Sequence, residues 1–174
     1  LFIATTHHYL LFFTNKGKVY RKKVYELPEG SRQSKGLPLV NVLYLNKGEY
    51  VTAVIPVKDF DEDGYLFMAT EGGIVKKTEL KEFDSSRRDG LIAIRLDEDD
   101  ELIGVRLTTG QEEMILGTKN GNAIRFPEEE VRSMGRTARG VKGINLAKDD
   151  RVVGLAYAKK DADLLVITEN GYGK

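Results

Sequence analysis

The sequence predicts an all-β protein, a propeller-like arrangement of small four-stranded blades. The first observation is a Thr-x-x-Gly signature that occurs four times, at residues 14–17, 70–73, 118–121 and 168–171. Each copy lies between two apolar, β-prone runs, where the glycine supplies the positive φ that a tight hairpin needs. The second observation is a further glycine later in each complete unit, at Gly36, Gly90 and Gly140. Self-similarity with a period near 50 residues is typical of propellers and related repeat proteins.

Each repeat is predicted to contain four strands. The hairpin around the Thr-x-x-Gly turn supplies the first two. Alternating apolar residues after the second glycine predict a third strand, at 37–45, 91–96 and 141–146. A fourth strand follows an acidic turn, at 50–55, 102–107 and 152–157. The blade repeats are therefore approximately 9–57, 65–107 and 113–157, and residues 128–134 form at most a turn or two of helix.

Both ends of the sequence fall in the middle of the pattern. Residues 1–5 resemble the last strand of a preceding blade, and residues 164–174 the opening hairpin of a following one. One blade cannot bury both of its faces alone. We therefore expect residues 1–174 to be a segment of one larger ring-like domain, an expectation that the absence of an initial methionine supports.

Composition limits the class of protein. The chain has 174 residues, of which 41% are hydrophobic and 31% charged, as in soluble globular proteins. It has no cysteine, which excludes disulfides and thiolate metal sites and fits a reducing compartment, so we expect a cytoplasmic location. No apolar run has the length of a membrane span, and no membrane partner is expected.

Charge is balanced in total but unevenly distributed. Twenty-seven basic residues cancel 27 acidic ones, which by itself argues against a simple polyanion binder. The acids collect in runs at 59–63, 97–101, 128–130 and 149–150. Basic residues collect elsewhere, at 16–23, 32–35, 76–77, 87–88 and 132–142. Three of these groups, at 32–35, 87–88 and 132–142, recur at one place in each repeat, beside the second glycine.

Several longer motifs resemble a known family. They include residues 17–29 (GKVYRKKVYELPE), 131–135 (VRSMG) and 169–174 (ENGYGK). These residues resemble the C-terminal domain of the DNA gyrase A protein, in the type IIA topoisomerase family, and the likeness covers the whole chain in order. It implies a six-bladed β-pinwheel whose blades exchange strands and whose rim wraps DNA.

The resemblance also implies partners. These are duplex DNA, the remaining domains of the gyrase A protein and the gyrase B protein in an A2B2 assembly, near the nucleoid of a bacterial cytoplasm. Other parts of that enzyme use ATP and Mg²⁺, so this segment is expected to need no cofactor and to have no catalytic residue. The family's marker heptapeptide, the gyrase box, does not occur; residues 30–36 are only a loose echo of it. We attribute this to truncation, because the box lies upstream of such a segment, and the equivalent domain of topoisomerase IV stays as an alternative.

DNA wrapping needs cations along a track. Duplex DNA carries a phosphate charge about every 1.7 Å of its axis, and neutralising several phosphates releases counterions without any reading of sequence. The loops around the second glycine supply the predicted contacts Arg32, Lys35, Arg87, Arg88, Arg136, Arg139 and Lys142. The hairpin strands supply Arg21, Lys22, Lys23, Lys76, Lys77 and Arg125. For any single residue an ordinary solvated charge is an equal alternative, but recurrence at one blade position favours the DNA interpretation.

Other chemistry is disfavoured. P-loop, HExxH and GxSxG motifs are absent, and the acidic pairs fall in turns, where solvation explains them. His7-His8 lacks a third metal donor and is interpreted as part of a turn. Asp59, Asp61 and Asp63 match the first half of a calcium loop, but position 12 is Thr70 and no helices flank it, so an acidic turn is preferred to a calcium-stabilised repeat. A propeller that scaffolds other proteins is the main rival from another functional class.

Overall fold

Three antiparallel sheets, each built around one Thr-x-x-Gly hairpin, form the computed structural model, which describes residues 2–85, 87 and 90–174. The strands in chain order are β1 (Tyr9–Thr14), β2 (Lys18–Lys23), β3 (Val51–Val57), β4 (Tyr65–Thr70), β5 (Ile74–Glu79), β6 (Leu91–Ile92), β7 (Leu102–Thr108), β8 (Glu113–Thr118), β9 (Ala123–Pro127), β10 (Val141–Lys142) and β11 (Val152–Tyr157). The sheets have the orders β3-β1-β2-β6, β10-β5-β4-β7 and β11-β8-β9. Short 3₁₀ turns occur at Val24–Glu26, Leu39–Asn41, Leu80–Phe83 and Glu128–Glu130, and the described residues contain no α-helix. The all-β prediction is confirmed.

The Thr-x-x-Gly signature forms the predicted hairpin turn in every copy. The glycines Gly17, Gly73, Gly121 and Gly171 have φ values of 69°, 81°, 85° and 81°. In each turn the glycine N–H donates to the threonine carbonyl, as in Gly17 to Thr14 at 3.0 Å. Residues with a Cβ rarely adopt this conformation, so the repeated glycine has a local backbone cause.

The predicted third strand is wrong in its length, whereas the exchange of strands between blades that the resemblance implies is present. The third strand shrinks to β6 and β10, two residues each, and both pair with the preceding repeat instead of their own. Leu91 lies opposite Val19 of β2, and Val141 lies opposite Val75 of β5. In the first repeat, residues 37–45 form no strand and contain only the 3₁₀ turn Leu39–Asn41. We call residues 91–97 and 141–146 the exchange segments.

The second glycine of a repeat lies where its exchange segment crosses the preceding repeat. Gly140 has a φ of 100°, and a Cβ there would lie 2.5 Å from the carbonyl oxygen of Val75. Gly90, with a φ of 79°, lies against the ring of Tyr20, which a Cβ would approach to 2.9 Å. The apolar alternation after each glycine therefore reflects packing on a neighbouring repeat, which periodicity cannot distinguish from a long strand.

The last strands of the three repeats lie side by side, with β7 between β3 and β11. Backbone hydrogen bonds at the starts of β7 and β11 join each of these strands to the hairpin turn of the preceding repeat. The N–H of Leu102 donates to the carbonyl of Asn15 at 3.0 Å, and that of Val152 donates to the carbonyl of Glu71 at 2.9 Å. The three sheets are thus successive blades joined through their last strands.

The hydrophobic core lies between the sheets. In β4, Leu66 and Met68 pack toward the first sheet, whereas Phe67 and Ala69 pack toward the third. All four side chains are fully buried. Because the middle sheet is covered on both faces, its strand β4 is a nearly continuous apolar run instead of an alternating one.

The end segments differ from the blades. Residues 2–5 form no strand, which corrects the prediction for 1–5; Leu1 lies outside the described residues. Residues 164–174 turn back on themselves through a bridge between Ile167 and Gly173. The N–H of Thr168 donates to the carbonyl of Tyr172 at 2.8 Å. This hairpin is exposed along its whole length.

Candidate nucleic-acid interface

We use the term rim loops for the segments that lead to the second glycine of each repeat, at residues 30–36, 84–90 and 132–140. In the first rim loop Arg32 and Lys35 are exposed, and in the second so is Arg87. Among the described residues no carboxylate forms an ion pair with any of these three side chains. Arg88, also predicted to contact DNA, lies outside the described residues. The first two rim loops therefore present cations to solvent without a described acidic partner.

Ser85 and Arg87 of the second rim loop lie near the end of β2 and help to line a small basic cleft. This cleft of about 130 Å³ is lined by Tyr9, Arg21, Lys22, Lys23, Glu26, Ser85 and Arg87. It unites four predicted DNA contacts from two repeats, although the sequence separates them by about 60 residues. A hydroxyl and several cations around one concavity are groups that bind phosphate oxygens well.

Two of the cleft cations are partly engaged within the protein. Arg21 pairs with Asp84 at 2.7 Å, and its guanidinium lies 4.8 Å from the centre of the Tyr9 ring. Lys23 donates to the carbonyl of His7 at 2.7 Å, and its Nζ lies 3.3 Å from the centre of the same ring. These contacts fix the direction of both side chains. Lys22 is held more loosely, 3.9 Å from Glu26.

The third rim loop is fastened to the exchange segment of the second repeat. Arg136 donates through Nη1 to the carbonyl of Ile92 at 2.7 Å, and the N–H of Arg95 donates to the carbonyl of Ala138 at 3.1 Å. Arg139 forms a bidentate pair with Asp97, with its Nε 2.6 Å from Oδ1. The hydrogen bond from Arg139 holds the pKa of Asp97 below its ordinary value. A guanidinium has five N–H donors, so each arginine keeps donors for another ligand.

Lys142 and Arg125 lie in more acidic surroundings. Lys142 is exposed on β10, beside an open groove of about 410 Å³ lined by Glu71, Gly72, Ile74, Asp97, Glu98, Asp99, Asp100, Arg139, Lys142, Asp150 and Arg151. Arg125 on β9 forms an ion pair with Glu113 of β8 across the hairpin. Nearby carboxylates lower the positive potential at both positions, so their attraction for phosphate is weaker than at Arg32 or Arg87.

The structure corrects the prediction that Lys76 and Lys77 contact DNA, because both side chains are buried. Lys76 has no exposed surface, and Lys77 is 7% exposed. The Nζ of Lys76 donates to the carbonyl of Ala93 at 2.7 Å and to that of Arg136. The Nζ of Lys77 donates to the carbonyl of Glu128 at 2.9 Å. Adjacent strand residues point to opposite faces, and both faces of the middle sheet are covered, so neither lysine reaches a phosphate.

Acidic residues that sequence reasoning assigned to solvated turns cap the hairpins instead. Thr14 donates through Oγ1 to Glu49 at 2.7 Å, and Thr118 donates to Asp150 at 2.8 Å. In the second repeat the N–H of Gly72 donates to Asp100 at 2.8 Å. Each acid precedes the last strand of its repeat by two residues, a recurrence that could have identified them. Although burial opposes the shift, hydrogen bonds from Asn46 and Thr14 lower the pKa of Glu49.

Glu128 is a buried carboxylate of the third repeat that sequence reasoning also missed. Its oxygens accept hydrogen bonds from Thr108 Oγ1 at 2.7 Å and from the N–H groups of Gly110 and Glu112 at 2.9 Å. Burial, together with the neighbouring Glu112 carboxyl, raises the pKa of Glu128. The corresponding positions of the other repeats hold the apolar residues Val24 and Leu80. Glu128 is therefore a structural acid in this fold.

The two alternative metal sites considered from the sequence, the acidic turn at 59–63 and His7-His8, do not have the geometry of a metal site in the structure. Asp59 accepts the N–H groups of Asp61 and Glu62 at 3.2 Å each, so its carboxylate closes its own turn. His8 accepts the N–H of Thr5 at 3.4 Å, in the turn before β1. Across residues 2–85, 87 and 90–174, no group of three or more His, Asp or Glu side chains is placed to hold a metal ion.

No described segment forms a helix with the length and apolar character needed to cross a bilayer.

Successive antiparallel sheets that exchange short strands define a class of protein, the propeller-like repeat domains. The family model "DNA gyrase C-terminal domain, beta-propeller" matches residues 8–58, 64–109, 112–159 and 162–174. The chain belongs to this family.

Curated relatives and solved structures agree with this assignment. The chain is 53% identical over 177 residues to the DNA gyrase A protein of Staphylococcus aureus strains MRSA252 and NCTC 8325. It is matched over its full length but spans only 20% of those relatives. The C-terminal domain of DNA topoisomerase IV superposes with a TM-score of 0.90 and 38% identity, over 97% of this chain and 53% of that one. The gyrase A C-terminal domain superposes with a TM-score of 0.79 and 29% identity, over 98% of this chain and 54% of that one.

Proposed function

We propose that this chain binds duplex DNA through its phosphates and bends the DNA along the rim loops, without reading base sequence. The observation that carries the proposal is the exposed basic rim loop at the same position of consecutive repeats, with Arg32 and Lys35 in one and Arg87 in the next. In a propeller-like domain successive blades are arranged around an axis, so cations on equivalent loops would follow a curve. Membership of the gyrase C-terminal domain family supports the same ligand.

Bending requires several contacts acting together. Smooth bending of a 20 to 30 base-pair site costs on the order of 1 to 6 kcal/mol. One exposed arginine on a phosphate offsets only part of that cost, whereas loops on several repeats hold the duplex at separate points. Removing the cations of one rim loop is therefore expected to reduce DNA bending more than it reduces the affinity for duplex DNA.

In the whole enzyme, the bound DNA segment would be presented to the catalytic parts of a gyrase. The chain would serve the gyrase A protein, in an A2B2 assembly with the B protein, in negative supercoiling in the bacterial cytoplasm. ATP and Mg²⁺ would act in other parts of that assembly. The 53% identity to the gyrase A protein over the whole chain supports this setting.

The equivalent domain of topoisomerase IV is the second candidate. The TM-score of 0.90 with the topoisomerase IV C-terminal domain favours it on structural grounds. The two candidates differ in what they demand of the domain: negative supercoiling needs DNA wrapped with a fixed sign of writhe, whereas delivery of DNA for relaxation does not.

The test adds increasing amounts of this chain either to a closed plasmid treated with a topoisomerase I or to a nicked plasmid that DNA ligase then seals, and measures the linking number after the protein is removed. A shift in linking number is expected, and its sign reports the handedness of the wrap. If the chain binds duplex DNA normally but the linking number does not shift, the wrapping proposal is overturned. The chain would then hold DNA without bending it. No duplex binding would favour a protein scaffold, and binding to a protein partner that is insensitive to salt would strengthen that alternative.

A triple variant sharpens the test. Arg32→Gln, Lys35→Gln and Arg87→Gln together remove three cations from two rim loops. The linking-number shift should fall by more than about fivefold while duplex affinity falls less, because wrapping needs all contact points at once. Lys47→Gln, Lys58→Gln and Lys148→Gln form the matched control, since these lysines are exposed outside the rim loops. Equal losses in both assays would contradict the proposal.

A further inference from the structure

Lys76 occupies an unusual place for a lysine. It is fully buried, and no described carboxylate pairs with it. Burying an ammonium group is costly unless its donors are satisfied. A leucine or methionine of similar size would fill a core position without the free-energy cost of burying a charge. The hydrogen bonds that the ammonium group makes are therefore the feature to explain.

The two acceptors of Lys76 belong to different repeats. Ala93 lies in the exchange segment of the second repeat, which crosses onto the first sheet. Arg136 lies in the rim loop of the third repeat, which leads to the exchange onto β5. One ammonium group on the middle sheet therefore joins the segments that connect all three sheets.

The third repeat crosses directly over this lysine. A Cβ on Gly140 would lie 3.2 Å from the Cβ of Lys76, so the backbone there is in close contact with the base of the side chain. Above it, the third rim loop and the exchange segment of the second repeat are joined by the contacts of Arg136 with Ile92 and of Arg95 with Ala138. Lys76 thus lies where the exchange segment of the second repeat and the rim loop of the third repeat meet.

The corresponding residue of the first repeat has a different function. The hydroxyl of Tyr20 donates to Glu49 at 3.2 Å, and so forms a hydrogen bond within its own repeat. In the third repeat the position is Ile124, on the exposed face of β9. Among the three complete repeats a lysine is therefore found at this position only in the second, where two exchange crossings meet; the fourth Thr-x-x-Gly hairpin has Lys174 there, which is exposed.

We propose that Lys76 is a positioning residue for DNA wrapping: its ammonium group holds the second exchange segment and the third rim loop in fixed relation, and so sets the angle at which successive rim loops meet the duplex. This inference rests on the proposed function. Lys76 touches no DNA itself. A change at Lys76 alters the path of bound DNA more than its affinity, because the exposed cations remain in place.

The test uses Lys76→Met, which keeps the length of the side chain and removes its donors. The plasmid assay should show a linking-number shift reduced by about half or more, with duplex affinity within about twofold of the unchanged chain. Lys58→Met removes an equal charge at an exposed site and should change neither quantity. An equal loss of affinity and of linking-number shift would overturn the proposal, because it would assign Lys76 to direct charge attraction.

A second measurement needs no DNA and separates this inference from the proposed function. The chain has no cysteine, so spin labels on Asp63→Cys and Thr137→Cys are unique. These labels report the distance between the turn before β4 and the third rim loop. The distance distribution should be narrow in the parent and broader in Lys76→Met. An unchanged distribution would overturn the positioning role, whatever the chain does with DNA.

If Lys76→Met does not fold, as judged by circular dichroism, Lys76→Gln replaces it. The shorter amide keeps two N–H donors but reaches only one of the two carbonyls, so an intermediate broadening is expected. A parent chain that shows a narrow distance distribution but no linking-number shift would refute DNA wrapping and leave the junction role of Lys76 to be decided by the spin labels alone.

Discussion

The junction between the first and second repeats differs from the one between the second and third, although the same strand exchange builds both. At the first junction Arg21 lies at the surface, 19% exposed, and pairs with Asp84 beside an open basic cleft. At the second, the corresponding Lys77 is buried, and its carbonyl accepts the N–H of Met134 at 2.8 Å. One topology thus supports an open junction that offers cations to a ligand and a closed junction that uses them internally.

The difference has a physical reason in burial. The middle sheet has a neighbour on each face, so its polar strand residues must find partners within the protein. The first sheet packs on the second repeat through the face of Leu11 and Val19, and Leu43 of its own repeat helps to cover the other face. Arg21 lies on the face toward the second repeat, near the end of β2, where its side chain stays partly exposed beside Tyr9. The comparison shows that a basic strand residue of such a repeat is available to a ligand only where the neighbouring repeat leaves its side chain exposed.

The largest expected effect is at the second glycine of the closed junction. Gly140→Ala should lower the free energy of unfolding by about 3 kcal/mol or more, because the new Cβ meets the backbone oxygen of Val75 at a positive φ. Gly90→Ala should cost less, since its Cβ meets the Tyr20 ring, which can shift. Chemical denaturation measures both.

The control for this prediction is Gly135→Ala, where a Cβ meets nothing within 4 Å. Gly135→Ala is expected to leave stability nearly unchanged. Equal losses for Gly90→Ala and Gly140→Ala would contradict the distinction between an open and a closed junction.

A smaller effect is expected in the pH dependence of stability. Burial, together with the positive charge of Arg136, lowers the pKa of Lys76 to about 8 from 10.5, opposed by Glu82. Between these values the unfolded chain binds the proton and the folded chain does not, so the free energy of unfolding rises with pH. Relative to Lys76→Met, the unchanged chain should gain up to about 3 kcal/mol from pH 8 to pH 10.5.

Denaturant titrations at several pH values check this difference. The comparison with Lys76→Met removes the contributions of other lysines and tyrosines that titrate in the same range. Parallel pH profiles for the two chains would show that Lys76 keeps an ordinary pKa, and so that the closed junction is accessible to water.

The polar contacts at the starts of the last strands provide a smaller contrast. At the first junction Glu101 accepts hydrogen bonds from Asn15 and Lys16 at 2.9 Å each and from Tyr50 at 2.7 Å. At the second, Arg151 makes a single pair with Glu71 at 2.8 Å. Glu101→Ala should cost about 1 to 2 kcal/mol, because three donors lose their acceptor, and Arg151→Ala less than about 1 kcal/mol.

Thermal unfolding in low and high salt tests this pair of variants. The effect of Arg151→Ala should disappear at high salt, because an exposed ion pair is screened. If Arg151→Ala lowered the free energy of unfolding more than Glu101→Ala, the predicted ranking of the two contacts would be wrong.

The smallest expected effects concern single DNA contacts. Arg87→Gln at the open junction should reduce the salt dependence of duplex binding by about one phosphate contact. Arg139→Gln should reduce it by less, because Arg139 is already paired with Asp97. Binding isotherms at several salt concentrations give both slopes, and Lys58→Gln is the control. A larger change for Arg139→Gln would show that its ion pair opens to admit DNA.

Much of this fold was predictable because its hairpins are local. Gly17 and Gly73 are required by turns only four residues long, and the apolar runs beside them pair immediately. The third strand was not predictable, because Leu91 and Val141 pair with residues more than 60 positions away. A period-2 pattern reports that one side is buried but does not identify what buries it.

The exposure of the predicted basic residues could be inferred from the sequence for the rim loops and not for the strands. The cluster of Lys and Arg before each second glycine identified the rim loops correctly as exposed for Arg32, Lys35 and Arg87. The same reasoning placed Lys76 and Lys77 on the track, although both are buried. A charged residue in a strand is almost always solvated, so only the cover on both faces of the sheet distinguishes these two.

The sequence by itself determined the repeat period, the hairpins and the placing of basic loops before each second glycine, since short-range backbone geometry and local composition suffice for these. Only the tertiary structure decided which repeat receives each exchange segment, which acids cap the turns and which cations are left for a ligand. Those outcomes depend on contacts between repeats, where burial forces each polar group to find a partner, and no local pattern records which partner that is.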